Sequence, residues 1–155
     1  MKLGHLYKIQ AKLKERIGYK GEDKLEKMTL ALLVELGETA NEWRGFKYWS
    51  KDQLPRPKLL EEYVDGLHFV LELGLDLGHT IDKVSPFKYT NITQQFLLIH
   101  GLVREVFLYK NKYDYLLLVE LYLGLGEMLG FTSEQIEAAY LEKNRINHER
   151  QNNGY

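Results

Sequence analysis

Two acidic pairs of one form stand out in this chain, Glu35-x-x-Glu38 and Glu62-x-x-Asp65. A three-residue step puts both members of a pair on one helical face. Two carboxylates ~4 Å apart repel by about 4 kcal/mol at an effective dielectric of 20. Four of them set against apolar helices need a positive partner, and a divalent metal is the usual one. All-carboxylate ligation without matched histidines suits a hard cation, Mg²⁺ or Mn²⁺, rather than zinc. Magnesium in turn keeps waters and binds substrate phosphates, which makes phosphate chemistry the natural use of such a site.

The elements that must position these residues are helices. Apolar residues recur at helical spacing between breakers. The pattern predicts six helices, over 3–17, 24–44, 58–77, 91–110, 114–129 and 133–149. No segment alternates with period two, so the expected fold is all-α. It is a single domain over 1–155, a bundle of six helices with a four-helix core. Thr132-x-x-Gln135 is a capping-box pattern that starts the last helix, with Gly130 closing the one before. The segment Gly45 to Pro57 is long, aromatic and basic for a helix connection, and such loops are often functional.

On a wheel, Leu30, Leu32, Leu33, Val34 and Leu36 cover most of the second helix, while Glu35, Glu38 and Glu42 share an arc of about 60°. A helix apolar nearly all round is expected to be buried, so its acidic arc is not an ordinary wet face. The third helix gathers Glu61, Glu62, Asp65, Glu72 and Asp76 within about 100°, which a plain solvated face would also explain. The resemblance between the two helices, and the loop they flank, favour function.

Composition narrows the field. The 155 residues carry a formal net charge of −1, with no global attraction to nucleic acid or anionic membrane. The absence of cysteine excludes disulfides, thiolate metal sites and a cysteine nucleophile, and fits a cytoplasmic protein. The N-terminus lacks the apolar core of a signal peptide. The apolar stretch Tyr115 to Phe131 is too short and too acidic to span a bilayer.

Metal and phosphate together call for cations. Lys47, Lys143 and Arg150 are candidates, Arg150 for bidentate contact with phosphate oxygens. Lys143 and Arg145 would equally complement the dipole at a helix C-terminus. Trp43, Phe46, Tyr48 and Trp49 offer a stacking wall for a base, or simply pack. His68 follows Asp65 by three residues. Asp-x-x-His is half of a di-iron carboxylate motif, but the matching Glu-x-x-His is missing, which weighs against redox iron.

With these motifs in hand, the chain resembles the all-α nucleoside triphosphate pyrophosphatases, and within them the dimeric dUTPases. The resemblance rests on ELGETANEWRGFKYWS (35–50), EEYVDGLHFVLELG (61–74) and YLEKNRINHERQNNGY (140–155), with Gln10 in the first helix. It implies hydrolysis of dUTP, and of dUDP, to dUMP. It implies Mg²⁺ held by Glu35, Glu38, Glu62 and Asp65, with Mn²⁺ as a substitute. It implies a uracil pocket with Gln10 and Trp49, His68 and Phe69 against the deoxyribose, and Lys47, Lys143, Asn147 and Arg150 on the phosphates. It also implies a homodimer whose active sites borrow residues across the interface. Two departures are visible: Lys14 stands where the family often has Asp or Asn, and the chain is short for the family.

The expected reaction is metal-assisted attack of water on a phosphorus, with Glu35 as the proton acceptor and Glu38 as the next choice. Three other readings compete: a related pyrophosphatase acting on dCTP or damaged nucleotides, a carboxylate-bridged redox protein, and a non-catalytic helical interaction protein.

Overall fold

The computed structural model describes residues 1–154. Tyr155, which closes the C-terminal motif, lies outside the described residues. Among the described residues six helices form: α1 (Gly4–Ile17), α2 (Lys24–Trp43), α3 (Leu59–Leu77), α4 (Ile92–Tyr109), α5 (Lys112–Met128) and α6 (Ser133–Asn152). Every boundary falls within three residues of the expected one. No strand forms among the described residues; one isolated bridge, Lys2 to Lys83, pins the N-terminus.

The helix ends follow local chemistry. Asn91 and Asn111 cap α4 and α5 by accepting from the backbone N–H of Gln94 and Asp114. The capping box of Thr132 and Gln135 opens α6 as expected. Gly18 and Gly78 end α1 and α3 in the left-handed conformation that glycine adopts without steric cost. Arg44 ends α2 with φ 67, an unfavourable value for a residue with a side chain. Its guanidinium donates twice to the Asp52 carbonyl, at 2.8 and 3.2 Å. That contact, and Arg56 N–H donating to the Glu42 carbonyl, tie the 45–57 loop to the end of α2.

Helices α2, α3, α5 and α4 close a ring, the four-helix core, and α1 and α6 lie against α3. The central helix α3 therefore meets α1, α2, α5 and α6. Close approach depends on glycine. A Cβ added at Gly66 or Gly74 would lie 2.2 or 2.1 Å from the hydroxyl of Tyr122 or Tyr115. Tyr63 and Tyr122 lock α3 to α5 reciprocally. Each hydroxyl donates to the other residue's carbonyl, at 3.0 and 2.7 Å, and the rings stack at 4.9 Å.

The expectation that α2 is buried nearly all round needs correction. Leu32 and Leu36 are fully buried, but Leu30 is 63% and Val34 49% exposed. These two are one turn apart on α2. Leu97 of the adjacent α4 is 68% exposed.

Candidate active site

The packing of α2 against α3 brings the two acidic pairs together. Glu35, Glu62 and Asp65 each offer a carboxylate oxygen within 4.8 Å of the others'. Glu38 is exposed at the rim, outside this cluster, and its charge still acts on Glu35 and Glu62. Glu35 Oε2 is buried and has no hydrogen-bond partner among the described residues. Burial, followed by the charges of Asp65, Glu38 and Glu62, pushes the Glu35 carboxyl up to about 7. Burial also raises Glu62, reinforced by Asp65 and Glu38. Asp65 is raised by burial in spite of its contact with Lys143.

Helix α6 supplies the counter-charge. Lys143 is buried, and its ammonium bridges Asp65 at 2.6 Å and Glu61 at 3.0 Å. Burial opposes its charge, but the two carboxylate contacts outweigh that and hold its pKa above the ordinary value. Asn147 and Arg150, one and two turns further on, line the same cavity of about 170 Å³. Gln10, Glu35, Asp65, His68, Phe69 and Glu72 complete most of its wall. Asn144 Nδ2, also on α6, is buried without a partner.

The far wall of the cavity is a hydrogen-bond chain. Gln10 Nε2 donates to Glu72 at 3.0 Å. Gln10 Oε1 lies 2.6 Å from the Tyr140 hydroxyl and 2.8 Å from His68 Nδ1. Tyr140 also stacks on the His68 ring at 3.9 Å. Burial, with the charge of Lys143 adding to it and the Tyr140 backbone opposing it, lowers His68 to about 3. The imidazole is therefore neutral at physiological pH.

Eight of the twelve site residues read from the sequence line this cavity, Glu62 joins its acidic cluster, and Glu38 stands outside at the rim. Lys47 and Trp49 do not line the cavity. Lys47 bonds Asn41 at 2.5 Å and lies over the Phe46 ring. Trp49 is 65% exposed and packs edge-on against Phe46 and Tyr48. The sequence places Glu72 and Asp76 in the acidic arc of the third helix, for which a solvated face is one of two readings, and does not single out Lys24 or Tyr140. In fact Lys24 bridges both carboxylates, at 2.9 and 2.8 Å, and Lys14 pairs with Asp76. The signal available was charge matching between helices, which a single wheel does not display.

The chain matches the dUTPase family over residues 2–155. It belongs to that family. No curated protein sequence matches it significantly. This dUTPase hydrolyses dUTP, and Glu35, Glu62 and Asp65 form a cluster able to hold a divalent ion. Among the described residues no single helix is long and apolar enough to cross a membrane.

Proposed function

We propose that this dUTPase is a Mg²⁺-dependent, cytoplasmic homodimer that converts dUTP to dUMP and pyrophosphate, and dUDP to dUMP and phosphate. The observation that carries the metal assignment is the buried, partnerless Glu35 oxygen beside Glu62 and Asp65. An unsatisfied buried acceptor costs about 1–3 kcal/mol, more when charged. A hard cation relieves that cost and the mutual repulsion together, and the all-oxygen donor set fits one. Glu35, Glu38, Glu62 and Asp65 would hold it, with Mn²⁺ acceptable in place of Mg²⁺.

When bound, the ion supplies Lewis-acid polarisation of phosphoryl oxygens and a lowered pKa for the attacking water. The chain does the rest. Glu35, pushed up to about 7 by burial and neighbouring charges, is poised to accept the proton that water gives up. Lys143, Asn147 and Arg150 line the cavity from α6 and bind the phosphates. Phe69 presents an apolar ring to the sugar beside His68, and Gln10 reads the base. Lys47 and Trp49 join only when the 45–57 loop approaches the cavity.

The homodimer is supported by the uncovered apolar face of Leu30 and Val34 on α2 with Leu97 and Leu98 on α4. Exposed apolar residues on two neighbouring helices favour an association site.

The test is release of phosphate or pyrophosphate from dUTP, dUDP, dCTP, dTTP and UTP, with Mg²⁺ and with EDTA. Release confined to dUTP and dUDP and abolished by EDTA is expected. Undiminished turnover in EDTA would sink the metal assignment, and rapid dCTP turnover the base assignment.

A further inference from the structure

The chain from Glu72 through Gln10 to His68 and Tyr140 fixes which atoms face a ligand. A carboxylate only accepts hydrogen bonds, and Glu72 is ion-paired to Lys24 through its other oxygen. The Gln10 atom at 3.0 Å from Glu72 must therefore be the amide nitrogen. The orientation of the amide follows from this contact alone, and the opposite atom is a carbonyl oxygen that must accept.

Two groups meet that oxygen. The Tyr140 hydroxyl at 2.6 Å and His68 Nδ1 at 2.8 Å must both donate. A neutral imidazole carries one N–H, so it stands on Nδ1. His68 Nε2 is then a lone-pair acceptor, and it is buried with no partner among the described residues. Both lone pairs of the Gln10 oxygen are occupied. One amide N–H of Gln10 is left uncommitted by these contacts.

We propose that Glu72 and Tyr140 are positioning residues for base selection, holding the Gln10 amide so that it offers the substrate a donor and never an acceptor. This rests on the reading above that Gln10 reads the base. A donor-only amide donates to a carbonyl, such as the C4 oxygen of uracil. It meets the exocyclic amino group of cytosine donor against donor, leaving buried polar groups unpaired, the arrangement that gives enzymes their largest discrimination. Tyr140→Phe would free one lone pair of Gln10, and Glu72→Gln would let the amide turn over. Either change lets Gln10 accept from an amino group.

The experiment compares kcat/KM for dUTP and dCTP in wild type, Tyr140→Phe, Glu72→Gln and Gln10→Leu. It adds the ¹⁵N resonances of the His68 ring, which report the tautomer. The expected result is a wild-type His68 carrying its proton on Nδ1, and a dUTP/dCTP ratio lowered about tenfold or more in Tyr140→Phe and Glu72→Gln, one hydrogen bond's worth. Glu72→Gln should also shift the His68 tautomer. A merely structural role would lower both substrates alike and leave their ratio unchanged. If Gln10→Leu lowers the ratio while the Tyr140 and Glu72 variants keep both ratio and tautomer, the positioning proposal is overturned. If Gln10→Leu itself keeps the ratio, the base-reading assignment fails first, and this proposal with it. Should both variants fail to fold, the wild-type spectrum still decides, because an Nε2–H tautomer is incompatible with the proposed chain.

Discussion

Glu35 concentrates the electrostatics of the site in one side chain. It is pushed up to about 7, first by burial and then by Asp65, Glu38 and Glu62. In the unfolded chain it titrates near 4.5. Between those values the folded state holds a proton that the unfolded state has lost, so stability falls as pH rises. The contribution is fully present below about 4.5 and gone above about 7. In EDTA, Glu35→Gln should therefore melt close to wild type at pH 5 and above it at pH 8. Parallel melting curves across that range would contradict the assignment. The same substitution should reduce turnover with Mg²⁺ by on the order of 10²–10⁴-fold, the usual weight of a general base. Single-turnover rates on dUTP check it, and a change of only a few-fold would remove Glu35 from that role.

At the scale of elements, Gly66 seats α3 closely against Tyr122 of α5, with Glu35 of α2 in ordinary contact beside it. A Cβ there would strike the Tyr122 hydroxyl and come within 3.5 Å of Glu35 Cβ. Gly66→Ala should destabilise the fold by about 1–3 kcal/mol, as overpacking does. It should also weaken Mg²⁺ binding, because α3 moving off the Tyr122 hydroxyl carries Glu62 and Asp65 away from Glu35. Denaturant melts and metal titration measure the two effects, and an unchanged metal affinity would show that the helix spacing is not critical. All six helices were legible in the sequence, because period and caps are local. The Glu35 and Asp65 faces were legible for the same reason, since three-residue steps survive any packing. Three things were not. Lys143 reaches Asp65 across 78 residues of chain, the Gln10–Glu72 bond crosses 62, and the seat of Trp49 depends on a loop whose course no periodicity sets. These follow from tertiary packing, and only the family resemblance anticipated some of them.

At the scale of the whole molecule, the exposed Leu30 and Val34 correct the reading of α2 as a buried helix. The proposed dimer would cover them. We expect sedimentation to show a dimer, and Val34→Glu with Leu97→Glu to shift it to monomer. A monomeric wild type would leave the face unexplained. Metal and association should also meet in thermal stability. Anything that binds the folded state alone stabilises it by mass action, about 2.7 kcal/mol at 100-fold over its dissociation constant. Mg²⁺ should therefore raise the melting temperature more at pH 8 than at pH 5.5, where Glu35 still holds a proton. The opposite order would point to a metal site elsewhere.

The reciprocal tyrosines of α3 and α5 constrain how this sequence can drift. Gly66 is needed because the Tyr122 hydroxyl lies where a Cβ would go, whereas at Gly126 the Tyr63 hydroxyl, its ring carbon and Ile136 all stand in the way. Losing a hydroxyl is mild by comparison, because each carbonyl that receives one keeps its helical hydrogen bond. The order of change therefore matters. Alanine at 66 is penalised while Tyr122 stands, and becomes acceptable once phenylalanine has replaced it. Descendants should pass through the tyrosine step first, and lineages retaining both hydroxyls should keep both glycines. History would then be written into this bundle as an allowed sequence of steps, with the glycines as followers and the hydroxyls as gatekeepers.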